Sequence, residues 1–222
     1  MIDPKIQSAV KAALSAFARY NDFDAAQVTA TFTEAFASDE DFLSKVDRLD
    51  GIFDEYPKLE PLREVFFDLL MINFFSADVK KLEDDYLESA EWEEIEEETL
   101  DRGTELLNLL LYLNECEDED IEPGLEDYLK EFLLVDEDEF QDEYRIYEPV
   151  IENQALIESS VAEIARVARS LPDDAEIKEV FYALMCFFRG IATGDFEKEQ
   201  IAADAIEKDY DMAVLEILIS FN

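Results

Sequence analysis

PLREVFFDLLMINFFS, residues Pro61–Ser76, is the stretch of sequence that decides the fold. Its apolar side chains occur at nearly every helical position and leave little polar face, which is typical of a helix buried on all sides. A similar stretch, EIKEVFYALMCFFRG, follows at Glu176–Gly190. The sequence therefore predicts two central helices that are buried within a larger helical protein.

Amphipathic helices are predicted on both sides of each central helix. Asp3 and Pro4 form an N-cap and first-turn pair, and Ala25–Ala37 carries apolar residues at helical spacing. Heptad-like steps continue from Ile95 to Leu113. The pattern predicts an all-α protein, a bundle or array of about ten to twelve helices.

Capping residues are predicted at two further helix starts. The segment from Ser38 to Asp41 has the form of a capping box, in which Ser38 accepts an early backbone N–H and Asp41 reaches back. Asp173 and Glu176 are expected to cap the second central helix. Both predictions place a polar side chain on backbone donors that a helix start leaves unpaired.

The order of elements repeats along the chain. A proline break, a central helix, a small-residue turn and a final apolar helix occur in each half, which indicates an internal duplication. We predict tandem halves at residues 1–114 and 115–222, packed as one unit through their central helices, with Asn114–Glu122 as the linker. The alternative is that helices rich in Leu and Phe resemble one another without a common origin.

Composition limits the classes of partner. The 222 residues include 58 Asp and Glu against 18 Lys and Arg, which gives a formal charge of −40, and His is absent. Such a charge disfavours direct binding to nucleic acid or to an anionic membrane and favours a basic protein as the partner. The apolar half of the composition, with 17 Phe, indicates a folded domain and not an acidic tail.

The sequence also carries signals about location. Cys116 and Cys186 have neither metal-like nor redox-like spacing, which fits a reducing compartment. The first residues lack the cationic start and unbroken apolar run of a signal peptide. Apolar runs stay well below the roughly 20 residues that span a bilayer. We expect a soluble, cytoplasmic protein.

The acidic residues are concentrated in the middle of the chain. Glu83–Glu148 holds 28 acidic and three basic residues, a net −25 of the total −40. A solvated face is one interpretation and adaptation to high salt is another, although salt adaptation should coat the surface evenly. The sharper interpretation is a carboxylate face that binds a basic groove, with Trp92 and Tyr86 as aromatic anchors. The predicted partner-binding residues are Tyr86, Trp92, Glu93, Glu94, Glu97, Glu98, Glu117, Asp118, Glu119 and Asp120.

Catalytic and metal chemistry find little support in the sequence. Without His there is no ordinary base for a Ser or Cys nucleophile and no helical di-iron pattern, and no glycine-rich phosphate loop is present. The oxygen-rich segments Glu117–Glu122 and Asp136–Glu139 lack the spacing of a calcium-binding EF-hand loop. We predict no enzyme activity, no metal and no cofactor.

The predicted function is therefore that of a non-enzymatic acidic protein that engages a cationic partner, as a nucleic-acid mimic or as an inhibitor of the immunity type. The acidity resembles that of DNA-mimic proteins in kind, without a shared motif. The alternative is a helical-repeat adaptor that binds a peptide or helix in an apolar groove. The sequence gives no indication of the oligomeric state.

Overall fold

The computed structural model describes residues 1–77, 86, 88–132 and 140–222. These residues form twelve α-helices and two 3-10 helices, and no strand occurs among them, so the predicted all-α class and helix number are confirmed. The oxygen-rich segment Asp136–Glu139 lies outside the described residues, as does most of the chain between Val79 and Ala90.

The first five helical elements surround the quoted stretch. In chain order they are α1 (Pro4–Phe17), α2 (Ala25–Ala37), α3 (Phe42–Glu55), a 3-10 helix (Pro57–Leu62) and α4 (Arg63–Ala77). The helix in the quoted stretch begins at Arg63 and not at Pro61, because the two prolines close to its start belong to the preceding 3-10 turn. Most of α4 from Val65 to Phe75 is buried, as predicted.

The remaining helices are shorter on average and end in a second buried pair. They are α5 (Ala90–Thr99), α6 (Leu106–Asp118), α7 (Leu125–Phe132), α8 (Phe140–Glu152), a 3-10 helix (Gln154–Glu158), α9 (Val161–Ala168), α10 (Lys178–Thr193), α11 (Lys198–Asp204) and α12 (Lys208–Phe221). Helix α10 is the second predicted central helix, and every residue from Val180 to Phe188 is buried. Gly194 ends it in the left-handed conformation that glycine adopts without strain.

Helices α1 and α12 form the most extensive contact in the fold. Lys5 Nζ, at the start of α1, lies 3.4 Å from the carbonyl oxygen of Phe221 at the end of α12. At the opposite ends, Asn21 Nδ2 donates to Asp209 Oδ2 at 2.8 Å. The two helices are therefore antiparallel, and they join the first and last parts of the chain.

One apolar core includes residues from all twelve helices. Helix α4 packs on α1, α3 and α6, whereas α10 packs on α9, α12 and the second 3-10 helix. The prediction that the halves pack through their central helices is wrong, because α4 and α10 do not form one of the extensively packed pairs, and the dominant contact instead joins α1 and α12. The duplication into residues 1–114 and 115–222 stays a prediction.

Three local predictions were wrong. Asp41, and not Ser38, caps α3: its carboxylate accepts from Ser44 N at 2.8 Å, while Ser38 follows the end of α2. Helix α10 has no side-chain cap, because the Asp173 carboxylate instead pairs with Lys178. The predicted linker is also shorter, since α6 continues through Asn114 to Asp118.

The heptad-like pattern from Ile95 to Leu113 is interrupted by a turn. Gly103 there has φ of 89°, a conformation that other residues adopt only with strain. A Cβ at this position would lie 2.7 Å from Asp68 Oδ1, so glycine also allows the turn to approach α4. Helices α5 and α6 are consequently separate elements.

Carboxylates of α4 hold this turn in place. Glu64 accepts from Gly103 N at 2.8 Å, and Asp68, one helical turn later, accepts from Thr104 N at 3.0 Å and from Thr104 Oγ1 at 2.6 Å. The Arg102 guanidinium bonds to both Glu64 and Asp50. Acidic residues therefore fix the position of α5 and α6 on α4.

Candidate acidic interface

Helix α5 presents four of the predicted carboxylates on one side. Glu93, Glu94, Glu97 and Glu98 are all exposed, and their spacing places them opposite the side that carries the buried residues Ile95 and Thr99. Neighbours three and four residues apart lie next to each other on a helix, so the four form one continuous patch. We call these four residues the α5 stripe.

No cation balances the α5 stripe within the described part of the chain. None of its four carboxylates forms an ion pair with a described Lys or Arg. Like charges at i,i+4 each cost a few tenths of a kcal/mol, about 0.2–0.5. Glu97 and Glu98 also lie in the last turn, where the helix dipole disfavours negative charge. The stripe therefore costs stability.

Basic side chains are used elsewhere, at junctions between elements. Arg63 bonds to Asp50, Asp54 and Glu60, and Arg102 bonds to Asp50 and Glu64. Neighbouring carboxylates raise the pKa of Arg63, so its charge is fixed. These two arginines thus stabilise the contacts of α3 and α4.

The two aromatic candidates pack against the core. The Trp92 ring lies 5.5 Å from that of Phe75 and 6.2 Å from that of Tyr86, and Tyr86 lies 6.1 Å from Phe74. Both candidates are half-buried. They attach the start of α5 to the C-terminal end of α4, and their predicted contact with a partner stays a prediction.

The end of α6 carries the other four predicted carboxylates, and all are exposed. Glu117 pairs with Lys5 of α1, whose Nζ also lies 3.3 Å from Asn114 Oδ1. Asp118, Glu119 and Asp120 have no ion pair with a described cation. The four form a second acidic patch, which we call the α6 tip.

Like charges lie close together beside the α6 tip. On the adjacent helix α7, partial burial and the nearby carboxylates of Glu115 and Glu119 raise the pKa of Glu131. Glu131 is exposed, so the like charges of Glu115 and Glu119 add to the effect of its small burial.

The two acidic patches flank the same end of α4. Phe75 contacts Trp92 at the start of α5, and it also lines a cleft with Glu117 and Asp118 of the α6 tip. The α5 stripe then extends away from this end, because Arg102, just beyond α5, pairs with Glu64 at the start of α4. The structure therefore brings Glu93 and the α6 tip toward one end of the molecule, whereas Glu97 and Glu98 lie farther along.

A second acidic cleft was missed by the sequence analysis. It has a volume of about 570 Å³ and lies where α10 and α12 begin. Its lining residues come from four separate parts of the chain and include Pro61, Ala168, Glu176, Glu179 and Asp211. No spacing rule connects such distant residues, so only the folded arrangement identifies the cleft.

Among the described residues, no group of three or more acidic or cysteine side chains is arranged to hold a metal ion. Cys116 and Cys186 are both free and buried. Within the same residues no helix is both long and apolar enough to cross a membrane. No protein-family model, curated protein or solved structure matches the chain.

Proposed function

We propose that this chain is a non-enzymatic binding protein whose acidic surface, formed by the α5 stripe and the α6 tip, engages a basic partner protein in the cytoplasm. The observation that carries the proposal is the unbalanced charge of the α5 stripe. A surface that only needed solubility could place its acids at helix N-termini, where the dipole favours them. The stripe instead continues to the C-terminal turn of α5.

The charge density of the stripe supports imitation of a nucleic acid. Its four carboxylates span about 7.5 Å of helix axis, at a rise of about 1.5 Å per residue. That is a mean axial spacing of about 2.5 Å between charges, against about 1.7 Å along a DNA duplex. A groove that binds duplex phosphates would therefore meet about two thirds of the linear charge density of DNA. An inhibitor that covers a cationic active site would use the same surface.

An apolar groove for a peptide has less support. A groove of about 670 Å³ lies between the ends of α1, α4, α6 and α12. Four apolar residues at its floor, Ile6, Ile72, Phe75 and Phe221, are each at most 8% exposed. Such a floor offers little area to an incoming apolar helix, and its rim includes Glu117 and Asp118 of the α6 tip.

The test uses a basic partner that is first captured from the source cells and identified by mass spectrometry. Its affinity for the purified chain is then measured between 50 and 300 mM salt, about the range over which phosphate-type binding weakens steeply. A 20-base-pair DNA duplex, about the length of a binding site, should compete with the chain for the basic groove of the partner. The proposal is contradicted if the affinity does not change with salt concentration, or if the duplex does not displace the chain from the partner.

The variant that removes the stripe is Glu93→Gln, Glu94→Gln, Glu97→Gln and Glu98→Gln together. Its control removes the same charge from exposed glutamates without described ion pairs, at Glu34, Glu55, Glu158 and Glu199. The stripe variant should lower the slope of log affinity against log salt by up to about three to four, the value for four duplex phosphates at roughly 0.9 each. The control should change it by less than about one. If the two variants change the slope equally, the partner is attracted by the overall charge of the chain and not by the α5 stripe.

A further inference from the structure

The turn between α5 and α6 is bonded to a carboxyl group that is fully buried. Asp68 of α4 is 0% exposed, and it accepts from Thr104 N at 3.0 Å and from Thr104 Oγ1 at 2.6 Å. It forms no ion pair with a described cation. A buried carboxylate without a cation is much less stable than the neutral carboxyl at the same place. The closed position of the turn therefore favours a protonated Asp68.

The same turn attaches the C-terminal end of α5 to α4. Among the described residues, α5 forms no extensive contact with another helix. Its start is held by the contact of Trp92 with Phe75. Leu100, which directly follows α5, is 82% exposed, and so the outer side of the turn faces solvent. The hydrogen bonds that the turn makes to α4 are therefore important for holding this end of α5.

The geometry of the turn is that of a hinge. Gly103 at its centre has φ of 89°, and its N–H donates to Glu64 at 2.8 Å. The Thr104 hydroxyl, which donates to Asp68, also accepts from Leu106 N at 3.0 Å, at the start of α6. One side chain thus connects the buried carboxyl with both the turn and α6. Hinges in proteins are formed by a few such residues, in which the backbone can change conformation at low cost.

The charged and titratable groups around Asp68 are mostly acidic. Glu64 lies one turn earlier on α4, Glu105 lies at the start of α6, and Tyr210 faces Asp68 from α12. Arg102, the cation of the turn, pairs with Glu64 and Asp50. Burial raises the pKa of Asp68 well above its ordinary value, and the charges of Glu64 and Glu105 act in the same direction against the hydrogen bonds from Thr104.

We propose that ionisation of Asp68 opens this turn and releases the C-terminal end of α5 from α4, so that the turn acts as a pH-sensitive latch. The closed latch holds the proton of Asp68 more tightly than the open latch, in which water reaches the carboxyl. Its stability is therefore complete below the ordinary pKa of 3.8 and is lost as pH rises toward the raised pKa of the closed state. The proposal goes beyond the proposed function and does not depend on it, because no partner takes part.

The test is amide hydrogen exchange of the full chain, followed by NMR at several pH values from 5 to 8, with each rate corrected for the intrinsic rate at that pH. The reporters are the N–H groups of Gly103, Thr104 and Leu106, and that of Phe187 in α10 reports unfolding of the core. The protection of the three reporters should fall by at least about tenfold from pH 5 to pH 8, the change for one pH unit of a single titration. It should also stay at least about tenfold below that of Phe187, because local opening needs less free energy than unfolding of the core.

Three variants identify the titrating group. Asp68→Asn keeps an oxygen that can accept from Thr104 N, and the protection of its turn should change less than about twofold between pH 5 and pH 8, because it has no proton to lose. Asp101→Asn, the matched control, removes an exposed carboxylate beside the turn and should behave as the wild type. Glu105→Gln removes the neighbouring carboxyl, whose pKa burial also raises, and should keep most of the pH dependence. If only Glu105→Gln abolishes it, Asp68 does not control the latch.

A second measurement on the wild type tests the latch if Asp68→Asn does not fold. Carbon-13 NMR of the Asp68 carboxyl gives the pH at which this group ionises in the folded chain. The protection of Thr104 should fall up to that pH and level off above it, because the two states then bind the same number of protons. The proposal is overturned if Asp68 is already ionised at pH 5, if the protection of the reporters does not fall with pH, or if it equals that of Phe187. It is also overturned if Asp68→Asn folds and keeps the pH dependence of the wild type.

Discussion

Gly103 shows how a single residue holds two helices at the right distance. Its backbone has φ of 89°, and its missing side chain leaves room for Asp68 Oδ1. The adjacent Thr104 supplies two donors to the same carboxylate. The buried Asp68, which has no ion pair with a described cation, therefore depends on this turn for its hydrogen bonds.

We predict that Gly103→Ala destabilises the chain by about 1–3 kcal/mol, because it adds backbone strain and a close contact with Asp68. Urea unfolding followed by circular dichroism measures the change. Gly51→Ala is the matched control: Gly51 lies inside α3, and a Cβ there meets nothing within 4 Å. That control should stabilise the chain by up to about 1 kcal/mol. Equal losses in both variants would contradict this role for Gly103.

Asp211 predicts a pH dependence of stability. Burial raises its pKa from an ordinary value of 3.8 to about 7 in the folded chain. The folded state therefore holds this proton more tightly than the unfolded state, and stability is lost as pH rises from about 4 to about 7. This loss of unfolding free energy amounts to up to about 4 kcal/mol, at about 1.4 kcal/mol per pKa unit. It should be absent in Asp211→Asn, which has no carboxyl group to titrate at this position.

The measurement is the free energy of unfolding of wild type, Asp211→Asn and Glu199→Gln at pH 5 and pH 8. A residual pH dependence is expected in every variant, since burial also raises the pKa of Asp68 and of Glu105. Glu199→Gln should follow the wild type. If Asp211→Asn does so as well, the Asp211 carboxyl is not the titrating group.

Among the elements, helix α5 is stabilised by core packing on one side and destabilised by charge repulsion on the other. Trp92 and Ile95 pack toward the core, and Ser89 caps the start of the helix by accepting from Trp92 N at 3.2 Å. The opposite side carries the α5 stripe. Position along the helix then decides which carboxylate is tolerated, because the dipole favours acids at the first turn and disfavours them at the last.

We predict that Glu97→Gln with Glu98→Gln raises the free energy of unfolding by about 0.3–1 kcal/mol, because it removes repulsion at the C-terminal turn. Glu93→Gln, in the first turn of the same helix, should be neutral or slightly destabilising. Chemical denaturation at low salt measures both. A gain of similar size from Glu93→Gln would mean that overall charge, and not the helix dipole, sets the effect.

Local sequence patterns predicted much of the helical architecture. The bounds of α2 and the cap of α1 by Asp3 and Pro4 are confirmed, because they depend on neighbouring residues alone. The turn at Gly103 was missed because apolar residues on both sides kept the heptad-like steps. Asp173 was wrongly assigned as a cap because the competing ion pair with Lys178 forms only in the folded turn.

The candidate sites also divide into one that depends on neighbouring residues and one that depends on the folded chain. Exposure of the α5 stripe follows from helical spacing, and the structure agrees with it. The cleft around Asp211 could not be predicted, since it joins Pro61, Ala168 and Ile206 from distant parts of the chain. The sequence also could not show which basic residues pair at the junctions between helices and which stay on the surface, because ion pairs such as Arg102 with Asp50 depend on tertiary contact.

For the whole molecule, net charge opposes compactness. The formal charge of −40 is distributed over a chain of 222 residues, and the described cations are mostly engaged in ion pairs between or within helices. Repulsion among the remaining carboxylates is long-ranged at low salt, where the Debye length is about 30 Å at 0.01 M. Salt should therefore stabilise this chain more than a chain of balanced charge.

We predict that the melting temperature at pH 7.5 rises by several degrees, about 5 °C or more, when NaCl increases from 0.01 to 0.5 M, because screening shortens the Debye length to well below about 10 Å. Thermal unfolding followed by circular dichroism measures the shift. The same series at pH 5.5, where the most raised carboxyls are protonated, should give a smaller rise. A melting temperature that falls or stays constant with salt would show that repulsion does not limit stability.

The antiparallel contact between α1 and α12 has a consequence for synthesis in the cell. The partner surface of α1 is made from the other end of the chain, so the ribosome delivers it roughly 10–40 s later at about 5–20 residues per second. During that interval Ile6, Val10, Leu14 and Phe17 cannot be covered as they are in the finished fold. The nascent chain is therefore expected to need either a chaperone or a temporary partner that covers α1. When α12 emerges, it replaces that chaperone or partner on α1.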